Sequence, residues 1–222
     1  MSADRQKLQA GADALGTPIT DAQADTLLAY LALLQRWNAV YNLTAIRDPQ
    51  QMLVQHLLDS LSVLAPLDRH LGTLGMNKDN SPIRLLDVGS GGGLPGVVVA
   101  VLRPDIAVTC VDTVGKKATF IRQVAAELHL PNLQARHARV EELKDPPFHV
   151  ITARAFASLA DLVRLTRPLL APGACWMAMK GQHPQAEIDA LPADVAVFHV
   201  EPLAVPQLDA ERCLIWMRPA TD

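Results

Sequence analysis

Residues 83–102 read IRLLDVGSGGGLPGVVVAVL: an apolar run, a glycine-dense bend, and a second apolar run. A buried strand that breaks into bare backbone and re-enters as a helix has this form, and it points to an open α/β sheet with ligand chemistry at the strand tip. The alternation continues to the end of the chain. IRLLDV (83–88) leads to a helix over 94–103 that Pro104 stops, and IAVTCVD (106–112) leads to GKKATFIRQVAAELHL (115–130). NLQARHA (132–138) runs into RVEELKD (139–145), FHVITARA (148–155) into SLADLVRLTRPLL (158–170), and ACWMAMKG (174–181) into PQAEIDAL (184–191). VAVFHVEPL (195–203) and ERCLIWMRP (211–219) come last. Strands alternating with helices predict a parallel, doubly wound sheet. Residues 204–210 leave no room for a helix, so the last two strands should form an antiparallel hairpin at one edge.

Residues 1–80 have a different period. DAQADTLLAYLALLQRWNAVYNL starts at a capping Thr20 or Asp21 and sets Leu27, Leu28, Leu31, Leu34 and Trp37 on one helical stripe. DPQQMLVQHLLDSLSVLAPL has Pro49 just after the cap Asp48 and repeats Met52, Leu53, His56, Leu57, Leu61 and Leu64. GTLGMNKDNSP then separates a helical extension, 1–80, from the α/β part, 81–222. The 222 residues suffice for one globular domain with such an appendage. Cys110, Cys175 and Cys213 lie far apart in apolar runs without a C-x-x-C pair, so reduced thiols are expected, with no metal and no disulfide framework. MSADRQKLQA has no apolar signal core, and the run GVVVAVL is too short to cross a bilayer. A cytoplasmic protein without a membrane partner is expected.

Net charge is −3, which opposes nucleic-acid binding, but its distribution is uneven. Residues 116–180 carry ten Lys/Arg against five acids, a local +5 that leaves −8 for the rest. A phosphate footprint needs only such a local face; an ordinary solvated surface would look the same.

The glycine bend itself narrows the ligand. Gly91, Gly93 and Gly96 match G-x-G-x-x-G, yet in the dinucleotide fingerprint the first glycine directly follows the strand. That residue is Gly89, and counting from it Leu94 takes the third glycine's place after Gly91. Asp87, two residues before Gly89 at the strand tip, sits badly beside a pyrophosphate and well beside an ammonium or sulfonium. S-adenosylmethionine has both cations; NAD remains the alternative, though no hydride-handling His/Tyr–Lys set is evident. Asp112 ends the second strand, 23 residues after Gly89, where a carboxylate accepts ribose hydroxyls of an adenosine. After the third strand, Val140 offers an apolar lid for adenine and Glu141 a polar partner for its edge; Glu141 and Glu142 equally suit a helix start. The fourth strand ends in ITARAFASL, not the [ND]-P-P-[YF] of exocyclic-amine methylation, and no cysteine follows a proline as pyrimidine-carbon methylation requires. A target with its own lone pair, such as guanine N7, needs neither device. It attacks the methyl in line without losing a proton, so positioning is the main task and no general base is required.

The stretches WNAVYNLTAIRDP (37–49), HLLDSL (56–61), DVGSGGGLPG (87–96), GKKATFIRQV (115–124), RVEEL (139–143), RAFASL (154–159), KGQ (180–182) and ERCLIW (211–216) resemble, in order, the RsmG/GidB family of bacterial 16S rRNA guanine-N(7) methyltransferases. The resemblance implies a class I S-adenosylmethionine-dependent methyltransferase fold: a Rossmann-like, mostly parallel seven-stranded sheet with an N-terminal helical extension. It implies donor contacts at Gly89, Leu94, Val140, Glu141 and Arg154, with Asp112 on the ribose. The implied target is a guanine in the decoding-region loop of 16S rRNA, within the small ribosomal subunit or its precursor. Thr113 and Gly92 depart from the family's usual residues, and residues 1–19 carry no match.

Other residues have two readings each. Arg154 either pairs with Glu141 or a loop carbonyl, or orders the donor pocket while facing RNA. Lys180 reads as an RNA-backbone contact or a surface lysine. Lys116 and Lys117 open a helix, where positive charge is unfavourable unless a phosphate faces it. His56 lies on an apolar stripe, as a packed histidine or a group lining the target pocket. Asn42 satisfies a turn or lines that pocket, and Arg47 contacts phosphate or solvent. Small-molecule or protein methylation, and a ribosome-touching module without chemistry, are the competing functions.

Overall fold

The computed structural model describes residues 2–74, 82–156 and 158–220. Seven strands form one sheet in the order β3-β2-β1-β4-β5-β7-β6. They are β1 (Ile83–Val88), β2 (Ile106–Asp112), β3 (Leu133–His137), β4 (Phe148–Arg154), β5 (Leu170–Lys180), β6 (Val195–Pro202) and β7 (Cys213–Pro219). β3-β2-β1-β4-β5 are parallel, and β7 runs antiparallel between β5 and β6. The seven strands and the antiparallel pair at one edge are those the sequence predicts. Chain order reverses direction at β1, whose neighbours are β2 and β4, so the crevice at the carboxyl ends of β1 and β4 is where a ligand enters such a sheet.

The extension is α1 (Ala3–Ala14), α2 (Asp21–Tyr41), α3 (Pro49–Met52), a π-helical stretch Leu53–Leu58, α4 (Asp59–Leu61) and α5 (Leu64–Leu74). Thr20 caps α2 with a full capping box, its hydroxyl accepting from Gln23 N–H while the Gln23 side chain accepts from Thr20 N–H. The repeat predicted as one helix over 48–67 is interrupted: the π-helical turn carries Gln55 and His56, and such turns concentrate at functional sites. The extension has no core of its own. Leu27, Tyr30, Leu34, Leu57 and Leu61 belong to one buried cluster with Leu85, Val98, Val108, Phe120 and Met177 of the sheet and its helices. The boundary expected at 80/81 lies outside the described residues.

α6 (Gly96–Leu102) and α7 (Gly115–Glu127) cover that same face, and α8 (Leu159–Thr166) and α9 (Gln185–Asp189) lie with the other face around Trp176, Phe148 and Ile215. Several helices are shorter than their periodicity suggests, and proline accounts for three. The helix after β1 starts at Gly96, not at 94, because Pro95 disfavours helical backbone at Leu94. RVEELKD shrinks to a single turn, Val140–Glu142, before Pro146 and Pro147, and α8 stops before Pro168.

Candidate functional site

The bend after β1 is held from three sides. Gly89, Gly91 and Gly93 take φ of +66°, +59° and +92°, which glycine adopts without a Cβ penalty. From β2, Asp112 reaches across: its Oδ2 accepts from Gly91 N–H at 3.0 Å and its Oδ1 from Val114 N–H at 2.9 Å. From the extension, the buried Tyr30 hydroxyl donates to the Gly92 carbonyl at 2.8 Å. From below, Asp87 Oδ2 accepts from Gly96 N–H at 2.9 Å.

Asp87 corrects the sequence reading. Strand alternation points it, with Ile83 and Leu85, to the face covered by α6, so the carboxylate lies fully buried under the bend instead of opening onto a ligand. Among the described residues its Oδ1 has no hydrogen-bond partner. Burial pushes its pKa up to about 7, against the pull of the Gly96 N–H and the Arg154 guanidinium. Cys110 Sγ lies 4.0 Å from its Oδ2, and burial likewise raises that thiol.

Two hollows meet above the bend. The smaller, about 150 Å³, is walled by Leu34, Leu43, Thr44, Gly89, Gly91 and Leu94. The larger, about 410 Å³, is walled by Gln55, Asp59, Met179, Lys180 and Arg212. His56, Arg154 and Ala155 line both, so the partition between the hollows is these three residues.

The partition is fixed by an ion triad that the sequence analysis did not find. Asp59, 3% exposed at its side chain, accepts from Arg154 Nη1 at 3.2 Å on Oδ2 and from Arg212 Nε at 2.7 Å on Oδ1. Arg154 also donates to the Gln55 carbonyl. Its partner is therefore Asp59, not Glu141. One carboxylate between two guanidiniums leaves the cleft wall positive. Asp59 and Arg212 both stand in stretches quoted above, HLLDSL and ERCLIW. A carboxylate inside an apolar helical repeat was the available signal, because burial obliges it to find a cation. Tyr30 was legible in the same way, as a phenol on a leucine stripe.

His56 is 5% exposed; its Nε2 lies 3.0 Å from Thr44 Oγ1, and its Nδ1 meets no hydrogen-bond geometry among the described residues. Burial, with Arg154 close by, pushes its pKa down to about 4, so the ring is neutral at pH 7. Lys180 is tied down: its Nζ donates to both Glu187 carboxylate oxygens, at 3.0 and 2.8 Å, and to the Phe156 carbonyl. Glu187 also accepts from Leu159 N–H, so this pair fastens the segment after β4.

The other expected residues lie apart from these hollows. Val140 is buried among Leu86, Val88 and Val111, and Glu141 is solvent-facing, 3.7 Å from Arg139. Lys117 Nζ stands 3.6 Å from Asp112 Oδ2, which offsets positive charge at the start of α7, while Lys116 is exposed. Asn42 ends α2 in the left-handed region and accepts from Arg47, both exposed. Their turn satisfies its own polar groups.

The residues fit an adenosine-bearing methyl donor at Asp112. An ionised carboxylate offers about four lone-pair sites; two are used by amides, leaving one on each oxygen for the two ribose hydroxyls. Among the described residues no group of His, Cys, Asp or Glu could hold a metal ion, and no helix is long and apolar enough to cross a membrane.

A family model described as rRNA small subunit methyltransferase G (GidB) matches residues 23–215. The chain is 76% identical over 219 residues to "Ribosomal RNA small subunit methyltransferase G" of Leptothrix cholodnii, covering 99% of this chain and 97% of that one. It is 59% identical over 213 residues to the protein of the same name in Acidovorax sp. (strain JS42), covering 96% and 94%. Among solved structures, TrmN from Thermus thermophilus aligns with TM-score 0.53 at 20% identity, over 72% of this chain and 49% of that one. A ribosomal protein L11 methylase from Lactobacillus delbrueckii subsp. bulgaricus aligns with TM-score 0.51 at 16% identity, over 69% and 78%. At such identities these two speak for the fold alone.

Proposed function

The chain belongs to the rRNA small subunit methyltransferase G (GidB) family, an rRNA methyltransferase on a class I α/β sheet; from that premise we propose that it methylates N7 of a guanine in the decoding-region loop of 16S rRNA, within the small ribosomal subunit or its precursor. S-adenosylmethionine supplies the methyl group. Gly89, Gly91, Leu94 and Asp112 hold the donor, with Val140 and Glu141 beside its adenine. The target base enters the larger cleft, across the partition from the glycine bend.

The observation that carries this reading is the cleft's lack of a poised base. Its lining includes two residues of the kinds that serve as general bases, Asp59 and His56. Both Asp59 oxygens are held by guanidiniums, and His56 is driven down to about 4. Among the described residues a nucleophile that must shed a proton finds no poised acceptor there, whereas guanine N7 attacks with its own lone pair and leaves the enzyme only the work of orientation. Arg154, lining both hollows, provides that orientation. Its guanidinium supplies a donor for guanine O6, an acceptor that adenine lacks.

The test is methyl transfer from labelled S-adenosylmethionine to small subunits from a strain lacking the activity, with the product nucleotide mapped by mass spectrometry. One N7-methylguanine in the decoding-region loop is expected. A methyl group on any other atom, or none with intact subunits, overturns the reading.

A further inference from the structure

The cleft does not end at Arg212. A second groove of about 480 Å³ continues from it, sharing Gln55 and Arg212 as walls and extending between α1, α3 and the β6–β7 connection. Lys7, Gln50, Gln51, Gln207 and Asp209 complete its polar lining. We propose that this groove is a second-base subsite, which receives the heterocycle of an unpaired nucleotide next to the target guanine. The inference rests on the function proposed above and adds a specificity surface to it.

Two features select a base over a phosphate. Gln51, Gln55 and Gln207 make no side-chain hydrogen bond among the described residues, whereas Gln50 is spoken for by Lys7 and Asp4. A free primary amide offers a donor and an acceptor side by side, as the edges of unpaired bases do. The cations of the lining are already engaged, Lys7 with the Gln50 side chain and Arg212 with Asp59, and the Asp209 carboxylate adds a negative charge, so the wall suits a neutral ring better than a phosphate. Gln207 holds φ of +65° in the connection between β6 and β7. Connectivity gives the reason for an occupant. An RNA strand that places one base in the cleft must lead its neighbour out past the rim, and the Gln55–Arg212 wall is the stretch of rim that opens into another groove.

The test uses the full chain carrying Gln51→Ala and Gln207→Gly. Both residues are exposed, and glycine relieves the positive φ at 207, so folding and S-adenosylmethionine binding should be unchanged. With small subunits as substrate, KM should rise about tenfold, at unaltered dependence of affinity on salt. An unchanged KM overturns the proposal. A salt slope lower by about 0.7 would show a lost phosphate contact and overturn it equally. Wild-type protein that fails to methylate subunits would sink the function proposed above; wild-type activity with an indifferent double variant sinks only this subsite.

Discussion

Asp87→Asn isolates what the buried carboxylate under the glycine bend does to the molecule. Its native pKa of about 7 stands about 3 units above the ordinary 3.8, since burial disfavours the charged form. At about 1.36 kcal/mol per unit, ionising it in the folded chain costs roughly 4 kcal/mol. The raised pKa means the folded state binds the extra proton between pH 3.8 and about 7. The stabilisation is therefore complete below pH 3.8, falls as pH rises through that window, and is gone above about 7. Asparagine keeps an oxygen for Gly96 N–H and cannot ionise, at a pH-independent cost of about 1–3 kcal/mol for the buried amide that replaces Oδ1. His56, lowered to about 4, tilts stability the other way below its unfolded pKa of 6.5, but it does so in both proteins and cancels in the difference. Urea unfolding, followed by tryptophan fluorescence at pH 5, 6, 7 and 8, gives that difference directly. The variant should gain on the wild type by about 2–3 kcal/mol between pH 5 and 8. A difference that stays flat across this range would mean Asp87 titrates normally, and the account of its burial would be wrong.

Three further outcomes follow from the site. Tyr30→Phe deletes the hydroxyl on Gly92 and should cost about 1 kcal/mol, lowering Tm by about 2–4 °C in calorimetry and weakening donor binding, while Tyr41→Phe at an exposed position should do neither. Asp59→Asn sets an amide N–H against a guanidinium at 3% side-chain exposure; urea unfolding should show about 2–3 kcal/mol lost, and methyl transfer should fall at least about tenfold as Arg154 loses its anchor. Gly96→Ala would place a Cβ 2.6 Å from Cys110 Sγ and 2.9 Å from Asp87 Oδ2, so thermal unfolding should show a loss of about 1–3 kcal/mol.

The sheet and the glycine bend were legible in the chain's local pattern. Apolar runs punctuated by Gly, Pro and helical repeats are local signals, and a strand buried on both faces leaves few alternatives. That pattern determined, too, that Gly89, Gly91 and Asp112 would meet, because the parallel order brings the ends of β1 and β2 together. Where the long side chains go depends instead on how the elements pack. Asp87 and Asp112 are both carboxylates at strand ends, yet the alternation of faces buries the first under α6 and leaves the second bracing the bend. Arg154, Asp59 and Arg212 stand 95 and 153 residues apart along the chain, measured from Asp59, and no local pattern links them. What joins them is the packing of the extension onto the sheet: once its leucines share the sheet's core, the aspartate among them is shut away from water, and the two arginines at the cleft rim become its counter-ions.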